Sequence, residues 1–303
     1  MIDFYKNKKW YFALSILLMV IGIVAIFVRG VQLDIQFTGG TKITYNYTGD
    51  LDIDSAQKKV QAVTDRIVST QKSTASNDDS SSLIVSLAGR ESLSTAELDA
   101  IDKVVLESYA DNKIERASTS NIEPYIGAKF LRNGIIAIVL AIVLITIFVT
   151  IRFKIISGFS AALTALIALF HDVLVVFFVF VVLGIPLNDG FVAVALTILG
   201  YSVNDTLVIY DRIRENKRLY GDKLTRAELV NKSINQCLRR CVNTSILTFT
   251  SMLLVFIFAL VNNITSVVNF ALPLMIGILS GCYSSICLAA PLWVCFKGNN
   301  KKA

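Results

Sequence analysis

Three side chains of this 303-residue sequence stand where hydrocarbon would be expected to surround them: His171, Asp172 and Asp205. Each lies inside a long apolar run. His171 and Asp172 interrupt Ile155–Asn188, and Asp205 sits within LTILGYSVNDTLVIYDRIREN. An ionisable group is costly to bury in lipid, so such residues face protein or water and find a partner. Thr197, Tyr201 and Asp205 recur at i, i+4 and i+8 and share one helix face, with Ser202, Asn204 and Thr206 beside it.

The chemistry this pattern allows is proton carriage. Arg240, at the start of a later apolar run, offers a cation. A carboxyl beside a guanidinium is held ionised, and one drawn into apolar surroundings is driven towards the neutral form. A helix shift alternating those surroundings would load and release a proton, with about 2.3 kcal/mol available per charge per 100 mV of membrane potential. Arg239 reads as an ordinary basic residue at a cytoplasmic helix end. Asp172 reads equally as a fixed hydrogen-bond partner or as a second relay site, and His171 chiefly as its packing neighbour.

Other chemistries are excluded. One histidine cannot form an HExxH zinc site, and the five cysteines show no CxxC spacing. No catalytic group, metal or cofactor is therefore expected. Tyr210-Asp211 offers the start of an aspartyl protease site, but it lies at a membrane edge and no GxGD partner exists.

The elements that position these residues are spans. The chain is 54% apolar and only 17% charged, against about 45–50% and 25% in soluble domains. Cys241 to Phe296 contains no ionisable residue other than Cys and Tyr, and is long enough to cross a membrane, turn and cross again. Six spans fit the runs, at 10–28, 133–151, 157–183, 190–210, 242–260 and 266–296, with breakers at Gly184-Ile185-Pro186, Asn188-Asp189-Gly190 and Asn262-Asn263. A soluble enzyme, a disulfide scaffold and a nucleic-acid binder are ruled out for the whole chain. The apolar segment behind Lys6, Lys8 and Lys9 lacks a small-x-small cleavage site and reads as a retained first span.

The net charge of +6 mostly encodes orientation. Lys6, Lys8, Lys9, Arg152, Lys154, the nine Lys and Arg of 211–240, and Lys297, Lys301 and Lys302 all fall on one side, while the short turns opposite carry none. Both termini are thus expected in the cytoplasm. The organisation reads as 1–28, a cytoplasmic stub and first span; 29–130, an external domain; 131–296, spans two to six with a cytoplasmic loop at 211–240; and 297–303, a cytoplasmic tail. Leu229, Ile234 and Leu238 suggest that the loop lies on the membrane as an amphipathic segment.

The external domain is expected to be a small α+β unit. Leu33, Ile35 and Phe37 alternate, as do Ile43, Tyr45 and Tyr47, with Gly39-Gly40 as a tight reversal between two strands. Ala56, Val60, Val63 and Ile67 mark a helix capped by Asp54 or Ser55. Residues 69–82 read as a polar loop. Leu83, Val85 and Leu87 mark a strand; Leu98, Ile101 and Val105 a helix behind a Ser94–Glu97 capping box; and 113–119 a last strand.

LDIQFTGGT at 33–41, carrying Asp34, Phe37, Thr38, Gly39, Gly40 and Thr41, resembles the sequence after the first span in the SecD/SecF family of the bacterial Sec translocase. FHDV at 170–173, GYSVNDTLVIYDRIREN at 200–216 (with Gly200, Asp211, Arg212, Arg214, Glu215 and Asn216) and SINQCLRRCVNTS at 233–245 resemble the SecF branch, and IEPYIG at 122–127 a looser form of its motif before span two. The resemblance implies a polytopic α-helical membrane protein of six transmembrane helices, an RND half-repeat, with one small α+β domain on the periplasmic side. It implies an accessory subunit driven by the proton-motive force that promotes late, SecA-independent steps of protein export. The implied partners are SecD, the SecYEG channel, YidC, membrane lipids and an unfolded preprotein met by the external domain, with no nucleic acid. The implied location is the cytoplasmic (inner) membrane of a bacterium. In that family the acid of the NDT motif and an arginine at the next span serve proton passage, which falls here on Asp205 and Arg240. Six spans are half of the twelve-span RND plan, whose repeats work across a pseudo-symmetric interface. Two other readings stay open: a half-size RND exporter of a lipid or small molecule, and a non-catalytic scaffold in which Asp205 would be replaceable by Asn.

Overall fold

The computed structural model describes residues 2–298 apart from 50, 75–79, 90–92, 157, 221–222 and 263. Asn263 and the tail beyond 298 lie outside the described residues. Six helical segments are long and apolar enough to cross a membrane. They are α1 (Lys8–Arg29), α5 (Pro124–Arg152), α6 (Gly158–Leu183), α7 (Asp189–Tyr220), α8 (Arg226–Val261) and a composite sixth span. The sixth comprises α9 (Thr265–Tyr283), a π-helical turn (Ser284–Ala289) and α10 (Ala290–Lys297). The inner faces of α6, α7 and the sixth span are buried, whereas α1, α5 and the outer part of α8 present mostly apolar side chains outward.

Between the first two spans lies a four-stranded antiparallel sheet ordered β2-β3-β1-β4, built from β1 (Gly40–Thr48), β2 (Ile67–Thr74), β3 (Ser80–Ala88) and β4 (Glu115–Ile122). Helix α3 (Ile53–Gln61) joins β1 to β2 and α4 (Thr95–Ser108) joins β3 to β4, a split-βαβ topology. Side chains alternate across a strand, so Ile43, Tyr45 and Tyr47 of β1 share a face with Leu83, Val85 and Leu87 of β3. Val60, Ile101 and Val105 from the two helices cover that face and complete the core. The Ser94–Glu97 capping box is present at the start of α4.

Four local expectations change. Residues 33–38 do not form a strand: Ile35–Thr38 is a single helical turn, α2. Asp34 Oδ1 accepts from Gln36 N at 3.0 Å and caps it. The expected reversal at Gly39-Gly40 is instead the entry to β1. Gly40, at φ 145°, is needed because a Cβ there would run into the Leu87 carbonyl. The polar stretch 69–82 is largely the two strands of a hairpin, β2 and β3, since ladder pairing uses the backbone and tolerates hydroxyl side chains. Helix α3 stops before Val63 because the Gln61 side chain bridges the next turn, donating to Arg66 O at 2.8 Å and accepting from Val68 N at 3.1 Å.

The segment 211–240 is not a loop lying on the membrane. Helix α7 runs on to Tyr220, and α8 starts at Arg226 behind a Thr225–Glu228 capping box, giving a helical hairpin. Leu229 and Ile234 are fully buried in a cluster with Phe153, Ile213 and Trp293, and Leu238 packs beside them. They bury against protein rather than lipid.

Candidate functional site

The polar residues of α7 divide between two sides. Ser202, Asp205 and Thr206 point into the bundle and are buried, while Thr197, Gly200 and Asn204 lie on an exposed side; Tyr201 sits between. The i, i+4, i+8 spacing had joined Thr197 to the acid, but Thr197 Oγ1 only bonds the Ala193 carbonyl of its own helix, at 2.7 Å.

Asp205 is 2% exposed. Ser245 of α8 lies near its carboxyl and receives the Tyr201 phenol at 2.8 Å. Among the described residues its Oδ2 has no hydrogen-bond partner. One turn earlier on α8, Arg240 is exposed and within electrostatic reach of Asp205, yet no ion pair joins the two. Arg240, Asn204, Val208, Arg212 and Gln236 line a cleft of about 690 Å³ between α7 and α8. Asp205 itself is not among the residues that line this cleft; of the two, only Arg240 reaches it.

Asp172 is positioned on α6 against α7 and the sixth span. Ser202, Ser280 and Ser284 donate to it at 2.6, 2.6 and 2.5 Å, and His171 Nδ1 lies 3.1 Å from it. Sequence reasoning missed Ser245, Ser280, Ser284 and Ser285, because a serine in an apolar run leaves the hydropathy almost unchanged. Their one legible trace was the spacing of small residues, with Gly277, Gly281 and the serines at 280, 284 and 285 clustered on span six.

The motif residues of the last turns of α7 pair with one another and with neighbouring helices. Asp211 pairs with Arg214 at 2.8 Å and with Arg152 of α5 at 3.2 Å, and Arg212 pairs with Glu215 at 2.5 Å. Arg212 Nε and Asn216 Nδ2 both donate to Gln236 of α8, at 2.7 and 2.8 Å, and Asn216 also donates to Ser233 at 2.8 Å. These bonds hold the α7–α8 hairpin and tie it to α5.

The 34–41 motif lies far along the chain from this site and forms a junction. Phe37 is buried among the spans with Val176, Phe180 and Leu187, and Asp34 N bonds the Leu187 carbonyl at 2.9 Å. Thr38 Oγ1 bonds the Asp34 carbonyl at 3.2 Å, and Thr41 is fully buried. Gly127 of α5 meets the backbone of Phe37 and Gly39 so closely that a Cβ there would touch it. Burial raises the Asp34 carboxyl above its ordinary range, opposed by the Gln36 amide and by Lys42.

Residues 102–299 match the family described as protein export membrane protein SecD/SecF, C-terminal. The protein translocase subunit SecF of Petrotoga mobilis is 31% identical over 99% of this chain and 98% of its own length. The SecF of Calditerrivibrio nitroreducens is 32% identical over 99% of this chain and 96% of its own. The translocase subunit SecDF of Bacillus subtilis is 29% identical over 99% of this chain, which spans only 39% of that protein. The crystal structure of SecDF from Thermus thermophilus, a translocon-associated membrane protein, superposes with a TM-score of 0.80 at 28% identity, covering 98% of this chain and 38% of that one.

Proposed function

Because this chain belongs to the SecD/SecF family of protein export membrane proteins and matches SecF members along nearly their whole length, we propose that it is the proton-carrying half of a two-part export motor. Asp205 takes and releases the proton, and Arg240 supplies the countercharge when α7 and α8 shift. The observation that carries this reading is Asp205 itself: 2% exposed inside a span, with one oxygen unpartnered among the described residues, and within electrostatic reach of Arg240, which lines a cleft. A transmembrane proton gradient is a fitting energy source for such a group.

A SecD chain is the partner we infer. SecDF relatives carry both halves in one polypeptide, and this chain spans under two fifths of them. Ala193, Thr197, Gly200 and Asn204 form an exposed stripe of small and polar residues along α7, and an added Cβ at Gly200 meets nothing within 4 Å. Such a stripe suits close helix–helix contact better than lipid. SecYEG, YidC and an emerging preprotein on the external domain complete the assembly. The protein would sit in the inner membrane with both termini in the cytoplasm.

The test is Asp205→Asn, which keeps size and hydrogen bonding but cannot titrate. It should insert and co-purify with its SecD partner normally, lose gradient-stimulated export of a preprotein, and leave ATP-driven translocation unchanged. Wild-type export under a full gradient would sink the proposal.

A further inference from the structure

Asp172, the other acid in the membrane, is held quite differently from Asp205. It is fully buried, and a carboxylate has room for about four donors. Three hydroxyls donate to it, Ser280 Oγ to Oδ1 and Ser202 Oγ and Ser284 Oγ to Oδ2, and His171 Nδ1 lies 3.1 Å from Oδ1. The three hydroxyls arrive from α7, α9 and the π turn. Among the described residues, no Lys or Arg pairs with it. The result is a cross-brace that fixes three segments against α6 at one depth.

The surrounding packing leaves little freedom in how those segments meet. A Cβ at Gly277 would lie 2.7 Å from the Ile198 side chain and 2.9 Å from Val176, and one at Gly281 would lie 3.1 Å from Ser202 Cβ. These glycines let α9 approach α6 and α7 closely enough for the serines to reach Asp172. The π turn then sends consecutive serines to different partners. Ser284 goes to Asp172, whereas Ser285 meets Thr206 Oγ1 at 2.9 Å and donates to the Ser202 carbonyl at 3.1 Å. Ser202 and Thr206 flank Asp205 on α7. The turn that carries the proposed proton carrier is therefore gripped on both sides by bonds that trace back to one carboxyl group and one π turn.

We propose that Asp172, with Ser202, Ser280 and Ser284, is the positioning centre for Asp205. It sets the depth and rotation of α7, and so how Asp205 meets Ser245 and Arg240. The inference rests on the reading of Asp205 given above. Besides Tyr201 on its own helix, the titratable or charged groups around Asp205 are Arg240 and Cys241 on α8 and Cys282 on α9. Around Asp172 they are His171 and Tyr283, whose ring is tilted 45° to the His171 ring with the centroids 6.1 Å apart. A rotation of α7 would change the first set of neighbours for Asp205 without touching the second. Supporting residues locked by packing and hydrogen bonds are what hold a reactive group to a productive geometry.

The test reads Asp205 directly. A membrane-permeant carbodiimide modifies intramembrane carboxyl groups in their protonated form, and peptide mass spectrometry follows its adduct on Asp205 against pH. The full chain is used with its SecD partner in membrane vesicles. Ser202→Ala and Ser284→Ala should each shift the labelling midpoint by about one pH unit, the size expected when a neighbour of a buried acid changes. The amount of folded protein should not change. Ser251→Ala, whose hydroxyl bonds only its own helix at Leu247 O, should leave the midpoint in place. Asp172→Asn should move it as well; should that variant fail to fold, the two serine variants decide. Unmoved midpoints in both, or loss of folded protein in both, would overturn the proposal. Gradient-stimulated export is measured on the same vesicles. Shifted midpoints with full export by Asp205→Asn would leave the positioning role standing and remove the relay. Unshifted midpoints with export lost would do the opposite.

Discussion

Tyr45 donates its phenolic hydrogen to Asp102 Oδ1 at 2.7 Å, tying β1, an inner strand of the sheet between the first two spans, to α4. Arg116 of β4 holds the other oxygen of the same carboxylate at 2.6 Å. Asp102→Ala leaves a buried phenol unpartnered and should cost about 1–3 kcal/mol of domain stability. Burial raises the Tyr45 phenol above its ordinary value of 10.0, and the bond to Asp102 raises it further. The folded state thus keeps a proton that the unfolded chain loses. This stabilisation is complete below pH 10.0 and declines as pH rises beyond it. Thermal melts of residues 40–122 at pH 8 and pH 11 should show the loss in wild type and a smaller loss in Tyr45→Phe.

The core of that domain predicts a second outcome. Val60 is fully buried between α3 and the sheet. Val60→Asp places an unpaired charge there, at a cost of several kcal/mol, and should abolish the cooperative melt of the same fragment. A sharp transition in the variant would contradict the helix-on-sheet packing.

Orientation can be read by thiol chemistry. In a background without other cysteines, a cysteine at Ser118, exposed on β4, should react with an impermeant maleimide added outside intact cells. Native Cys237, beside the α7–α8 cleft, should react only after the cells are opened. Reaction of both from one side would contradict the six-span topology.

The two adjacent arginines of α8 should behave differently. Arg239 and Arg240 are both exposed, but only Arg240 lines the cleft and lies within electrostatic reach of Asp205. Arg240→Ala should remove gradient-stimulated export as fully as Asp205→Asn, and the double variant should be little worse, since groups acting as one unit are non-additive. Arg239→Ala should retain most of the stimulation. Equal defects in the two arginine variants would assign both to orientation alone.

Gly277 should resist replacement. Gly277→Leu forces side-chain volume into the contact with Ile198 and Val176, and overpacking of this kind costs about 1–3 kcal/mol. The detergent-solubilised variant should show a lowered melting temperature. Gly200→Ala, where the helix faces open space, should match wild type in the isolated chain and weaken co-purification with SecD.

The spans were legible in the amino-acid pattern because hydrocarbon thickness imposes a length and charge imposes ends. The capping box at Ser94 and the alternating core of β1 and β3 were legible because each is local. What escaped was decided by contacts distant in sequence. The alternation of Leu33, Ile35 and Phe37 fits a strand or a capped helical turn equally, and the junction with Leu187 and Gly127 selects the turn. Leu229 and Ile234 have the spacing of a membrane-surface helix, and only the arrival of Phe153 and Trp293 makes them core. Asp205 announced itself as an acid in an apolar run. The serines around Asp172 did not, because a hydroxyl becomes informative only once its acceptor on another helix is known.

The wide turn at Ser284–Ala289 carries one residue more than an α-helix would use over the same rise. Such a turn behaves like a frame offset within a single helix: it lets α9 and α10 each choose the face they present. Deleting one residue within it would restore an unbroken α-helix with its backbone bonds intact, yet swing everything downstream by about 100°. Trp293 Nε1 would then lose Ser160 Oγ, 3.1 Å away, and Ala290 and Val294 would leave their cluster. A one-residue change of length at this turn would thus displace every contact of α10 at once, where a substitution disturbs only its own.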